Sequence, residues 1–170
     1  MKKYSQFLLL LSLLGMLLPG QLAAQPSVWP TWTAMTASGE SFDSHRLDGK
    51  VVLISVWGSW SQPCRKQIPI LDSLQSTYGQ SGMQVLAFSL DRSSECHEQY
   101  IRENRIKIPS IFARSGEGLK VVRMLQEGAG TLEAVPTVLI YDRKGRLAHR
   151  MVGFFNRQEL EALLLPLLKQ

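Results

Sequence analysis

Val51-Val52-Leu53-Ile54-Ser55-Val56-Trp57-Gly58-Ser59-Trp60-Ser61-Gln62-Pro63-Cys64-Arg65-Lys66-Gln67-Ile68-Pro69 changes its hydrophobic period part-way along. The first seven residues form a β-branched, apolar run of the kind found in strands buried on both faces. From Ser61 onward the apolar residues Ile68, Leu71, Leu74 and Tyr78 fall at helical spacing. Pro63 is tolerated in a first helical turn, Pro69 predicts a kink, and Gly79 and Gly82 predict the end of the helix. A buried strand feeding a helix is the first half of a βαβ unit. It puts residues 58–64 beyond the carboxyl end of a central strand, where open α/β sheets collect their sites.

Downstream the alternation continues. Met83 to Leu90 reads as a second buried strand, Ser94 to Asn104 as a helix, Ile108 to Phe112 as a short strand and Leu119 to Gln126 as another helix. Val135 to Asp142, the turn at Arg143-Lys144-Gly145, and Arg146 to Val152 read as an antiparallel hairpin. Asn156 with Glu159 three residues on resembles a capping box for a last helix with the stripe Leu160, Leu163, Leu164 and Leu167. Upstream, Trp32 to Met35, compatible with an edge strand, and a turn at Ala37 to Glu40 before Phe42 and Leu47 suggest a hairpin laid against the sheet. The expected fold is α/β, with a mixed central sheet flanked by helices and an N-terminal β-hairpin extension. Pro136 is awkward inside a strand because it lacks an N–H; a cis bond there would resolve the conflict.

The chain has 170 residues, 45% hydrophobic and 19% charged, an ordinary globular composition that argues against disorder and low-complexity classes. Lys2 and Lys3 precede a twelve-residue apolar run, Phe7 to Leu18, then Pro19, Gly20 and Ala23-Ala24. This is the layout of a secretory signal peptide, and the run is short of the roughly 20 residues that span a bilayer. The expected organisation is a signal peptide over residues 1–24 and one domain over 25–170, periplasmic or secreted, with no stable membrane insertion after signal removal. An uncleaved anchor is the alternative. Without that leader the formal charge falls from +5 to +3, and the basic group Arg143, Lys144, Arg146 and Arg150 straddles a turn. We therefore expect a solvated hairpin and no nucleic-acid partner. His45, His97 and His149 lie far apart, so no metal site is expected. No Gly-x-Ser-x-Gly elbow or glycine-rich phosphate loop is present, and no cofactor is implied.

The segment Trp57 to Pro69 resembles the active-site stretch of the TlpA/ResA-like periplasmic thioredoxins. In that family an aromatic strand end leads through Trp-Cys-x-Pro-Cys-Arg into a helix. Asp48-Gly49-Lys50-Val51-Val52-Leu53, Val135-Pro136-Thr137 and Asp142-Arg143-Lys144-Gly145-Arg146 are similar to flanking family segments, the second to its cis-proline loop. The resemblance runs from about Trp32 to Leu165. It implies a thioredoxin-like redoxin fold and descent from thiol-disulfide oxidoreductases of envelope redox homeostasis. The implied partners are protein or peptide thiols and disulfides, or extended peptide segments.

One position departs from the pattern. Ser61 stands where the family carries its attacking cysteine, and Cys64 holds the position of the resolving one. A helix N-terminus lowers a thiol's pKa and keeps a thiolate ready to attack. A serine hydroxyl stays protonated at neutral pH and does not exchange with disulfides. Ser61 suits the N-cap, accepting from an N–H two or three residues on. Cys64 is open to three readings: an inert core thiol, a slow single thiol near Arg65 and Lys66, or one half of a rearranged redox pair with Cys96. Trp57 is expected to pack in the core and Trp60 to offer a partly exposed contact surface. Trp60, Pro63, Val135, Pro136 and Thr137 are the expected binding residues. The functional expectation is a thiol-disulfide oxidoreductase relative weak or degenerate in dithiol catalysis. The alternatives are a non-catalytic peptide-binding module around Trp60, Ser61 and Pro136, or a rearranged Cys64–Cys96 enzyme.

Overall fold

The computed structural model describes residues 29–170; the expected signal peptide lies outside the described residues. A five-stranded sheet is built from β3 (Val51–Trp57), β4 (Met83–Ser89), β5 (Ser110–Phe112), β6 (Thr137–Tyr141) and β7 (Leu147–Val152), in the order β5-β4-β3-β6-β7. β3 is parallel to β4, and β4 to β5, while β6 runs antiparallel to both β3 and β7. The short β1 (Thr33–Met35) and β2 (Ser41–Asp43) pair antiparallel. This hairpin reaches the sheet edge through the Ala37 N–H, which donates to the Ser110 carbonyl at 2.7 Å, and a bridge from Thr36 to Ile111.

Why β3 is apolar at every position but Ser55 is clear from its two faces. Val52, Ile54 and Val56 join Leu86, Phe88 and Leu139 under the hairpin and α3 (Gly116–Ala129). Val51, Leu53 and Trp57 join Val85, Val138 and Ile140 under α1 (Gln62–Tyr78), α2 (Ser94–Glu103) and α4 (Arg157–Leu168). A strand covered on both sides gains nothing from polar alternation. In α1, Ile68, Leu71 and Leu74 are fully buried, as their spacing requires. Pro69 sits inside α1, which continues to Tyr78. The capping box of α4 is formed in both directions, at 3.0 Å into Asn156 and 2.7 Å into Glu159.

Two expectations are corrected at strand ends. β6 begins at Thr137 rather than Val135, so Pro136 precedes the ladder and costs it no N–H; the Val135–Pro136 bond is cis. β5 begins at Ser110 rather than Ile108, because Pro109 has no N–H to pair and contributes only its carbonyl, which accepts from Ala87. The basic turn is solvated as expected, with Lys144, Arg146 and Arg150 exposed, and Arg143 alone is partly buried. Arg143 donates to the carbonyls of Gly49, Ser81 and Leu168, and Arg146 pairs with Asp142. Arg143 thereby ties the far end of the fold together, while the Arg146 pair stays within the hairpin turn.

Candidate functional site

The carboxyl ends of β3, β4 and β5 converge with the amino end of β6, and the candidate residues gather there. Val56 pairs with Thr137, so Trp57 and the turn after it lie beside Pro136. That turn is closed by the Ser61 N–H donating to the Gly58 carbonyl at 3.0 Å, and α1 starts at once. Trp57 is fully buried and Trp60 is 59% exposed, the division expected of the two tryptophans. The Trp60 indole lies over Gly58, where a Cβ would collide with its ring nitrogen. Pro63 is exposed in the first turn of α1, and Pro136 and Thr137 are buried.

Ser61 occupies the N-cap of α1 and is nearly buried, but its side chain makes no capping bond. The expectation fails for a local reason. The residue two on is Pro63, which has no N–H, so one of the two usual donors is missing. Cys64 is wholly buried in the α1 face of the core. Burial pushes its thiol pKa up, and Asp91 adds to this; the Ser61 hydroxyl and the Gly58 backbone favour the anion, but less strongly. At neutral pH Cys64 is therefore a protonated, enclosed thiol. Cys96 lies on the exposed side of α2, and both cysteines are free. The neighbouring His97 points into the core, and adjacent helical residues are turned by about 100° from each other. The fold thus directs Cys96 to solvent while it seals Cys64 between α1 and the sheet.

A carboxylate absent from the sequence-based expectations organises the turn. Asp91 follows β4 and is buried. Its Oδ1 accepts from the Ser59 N–H and the Ser59 hydroxyl, both at 2.8 Å, and its Oδ2 accepts from the Ser89 hydroxyl at 2.8 Å. Arg65 donates to the Ser59 carbonyl at 2.9 Å, gripping the same residue from α1. The available signal was positional: Ser89-Leu90-Asp91 leaves a buried strand next to β3, so its first acid falls beside residues 58–61. A second buried group joins β3, α2 and β5. Trp57 Nε1 donates to Ser110 Oγ at 3.3 Å, and His97 Nε2 lies 2.7 Å from the same oxygen. Burial lowers the His97 pKa to about 4, so the imidazole is neutral. Among the described residues no three His, Cys, Asp or Glu side chains are grouped as metal ligands, and His97 is committed to Ser110.

Residues 27–150 match the model of the AhpC/TSA family. The chain belongs to the AhpC/TSA family. Within this redoxin family, it is 24% identical over 135 residues to the thiol-disulfide oxidoreductase ResA of Bacillus anthracis, covering 79% of this chain and 73% of that protein. Among solved structures it is similar to a thiol:disulfide interchange protein of the thioredoxin family from Chlorobium tepidum TLS, with TM-score 0.72 and 22% identity, covering 85% of this chain and 98% of that one. StoA from Bacillus subtilis is similar at TM-score 0.64 and 20% identity, covering 82% and 99%. These likenesses establish the thioredoxin-like fold, with its mixed five-stranded sheet and added N-terminal hairpin.

Proposed function

We infer that this redoxin is an exported relative of the thiol-disulfide oxidoreductases in which two-cysteine exchange is weak or lost. The observation carrying the reading is the pair at the start of α1. Ser61 sits at the N-cap, where the family pattern has an attacking thiol, and Cys64 is sealed behind it with a raised pKa. Attack on a disulfide needs a thiolate that can reach the substrate sulfur. An alcohol at 61 is not deprotonated, and Cys64 is not accessible. The supporting scaffold remains: Trp60 exposed, Pro63 in the first turn, Asp91 fixing the turn, and Val135-Pro136-Thr137 beside it.

Replacing one oxygen by sulfur should therefore restore the chemistry. With dithiothreitol present, the natural protein should reduce insulin no faster than dithiothreitol alone, and Ser61→Cys should raise the rate clearly above that background. In that variant the new thiolate attacks a substrate disulfide and releases one substrate thiolate. Cys64 then displaces the second, leaving a disulfide to position 64 that dithiothreitol reduces. Fast turnover by the natural chain that survives Cys96→Ser would contradict this reading.

A second reading is favoured by the backbone at Val135. The Pro136 carbonyl accepts from the Gly153 N–H at 2.8 Å, but the Val135 N–H and carbonyl have no hydrogen-bond partner among the described residues. Unpaired backbone beside a strand end suits pairing with an extended peptide. Trp60, Pro63 and Val135 would then hold a client non-covalently. The export assignment rests on residues 1–24, and N-terminal sequencing of protein recovered from the cell envelope should find a mature chain starting at Gln25. An intact Met1 in membranes would instead show an anchor.

A further inference from the structure

A cleft of about 410 Å³ opens against Trp60 on the α3 side of the sheet. Its apolar lining includes Leu90 from the end of β4, Leu119 and Val122 from α3, and Leu132 from the segment leading to Pro136. Trp60, largely exposed, lines the cleft as well. The rim is charged and unsatisfied. Arg123 has no hydrogen bond or ion pair among the described residues. Arg114 makes one long contact, 3.5 Å to the Leu90 carbonyl, and no ion pair. Glu133 also reaches the rim and pairs with neither, so the opening carries an excess of one positive charge.

We propose that this cleft selects client segments in which a large apolar side chain stands beside an acidic residue. The proposal rests on the peptide-holding reading above and gives it a substrate class. The cleft is large enough for one or two side chains and is lined as small-ligand sites are, with apolar walls and few polar groups. Two guanidinium groups without carboxylate partners at its mouth supply the complementary charge for an acid and repel a lysine or arginine at the same place. Leu132 and Glu133 lie only three and two residues before Val135. An extended segment advances about 3.3 Å per residue, so a client paired with the Val135 backbone would present a nearby side chain to the cleft. Nothing in this selection needs a sulfur at position 61.

The test measures binding of the natural protein to three fluorescent ten-residue peptides by anisotropy: one with a Leu-Glu-Leu centre, one with Leu-Lys-Leu and one with Ala-Glu-Ala. The acidic apolar peptide should bind at least fivefold more tightly than either of the others. Its advantage over the lysine peptide should shrink as salt is raised from about 50 to 500 mM. The double variant Arg114→Glu, Arg123→Glu changes only exposed side chains and should reverse the preference between the Glu and Lys peptides. Trp60→Ala should weaken both. Equal binding of the three peptides, no binding of any, or an unchanged preference in the double variant would overturn the assignment of the cleft. Insulin reduction by Ser61→Cys is scored separately. Restored reduction without peptide preference removes the cleft proposal and leaves the oxidoreductase ancestry of the site intact, whereas absent reduction with a charge-reversible preference does the opposite.

Discussion

At the scale of single residues the two cysteines separate cleanly, and their reactivity should do the same. Cys64 is buried with its pKa raised, and Cys96 is exposed on α2. Under native conditions a small alkylating agent should label one thiol per chain quickly, and the second only after denaturation. Cys96→Ser should abolish the fast phase. Two fast thiols would mean that the start of α1 opens readily, and zero thiols would point to a Cys64–Cys96 bridge. The division between Trp57 and Trp60 was legible because strand position fixes which side chains face the core, whereas the spacing left Cys64 open between an inert core thiol and a reactive one. The role of Asp91 was not, since a lone acid after a strand has no periodicity to betray it. Nor was the missing cap bond of Ser61 legible: it depends on the donor that Pro63 removes and on where the hydroxyl turns, which side-chain propensity alone does not decide.

Elements with a strong apolar period were readable from the sequence to within a residue, and for those shaped by contact with a neighbour the bounds were not. β3, β4 and α1 carry long apolar runs or stripes, and their positions follow directly. α3 was expected from Leu119 to Gln126 but spans Gly116–Ala129, because Gly116 and Gly118 make its first turn look like a loop. Gly118 has a packing reason. A Cβ at this position would run into the Phe112 carbonyl oxygen and the Ile111 side chain, so the helix can approach β5 this closely only through a bare Cα. Gly118→Ala improves intrinsic helix propensity by about 1 kcal/mol, yet the clash with strand backbone should dominate. We expect net destabilisation of about 1–3 kcal/mol, read as a lower urea midpoint with an unchanged m-value. The same substitution at Gly128, where a Cβ meets nothing within 4 Å, should be neutral or stabilising. A gain at both positions would show that α3 stands further from β5 than described.

For the molecule as a whole, one buried polar group at the end of the sheet where the site lies makes its stability depend on pH. His97 joins α2 to β5 through Ser110 and stacks edge-on against Trp57, with ring centroids 5.8 Å apart. Burial lowers its pKa to about 4 from an ordinary 6.5, while Asp91 acts weakly in the opposite direction. As the pH falls below about 6.5 the unfolded chain takes up a proton on this imidazole and the folded one does not, so the equilibrium shifts toward unfolding. The stability held by the neutral ring is fully present above pH 6.5 and is lost progressively down to about pH 4. Between pH 7 and pH 5 that difference is worth about 2 kcal/mol. Carboxylates also titrate at the acid end, so the measurement must isolate the histidine. His97→Phe keeps an aromatic ring against Trp57 and leaves Ser110 to accept the indole N–H. Urea unfolding of both proteins at pH 7 and pH 5 should show the natural chain losing about 2 kcal/mol more than the variant. If the two lose the same amount, His97 protonates in the folded state without penalty. The junction of α2 with β5 beneath Trp57 would then be open to water, and the bond from His97 to Ser110 would not hold it closed.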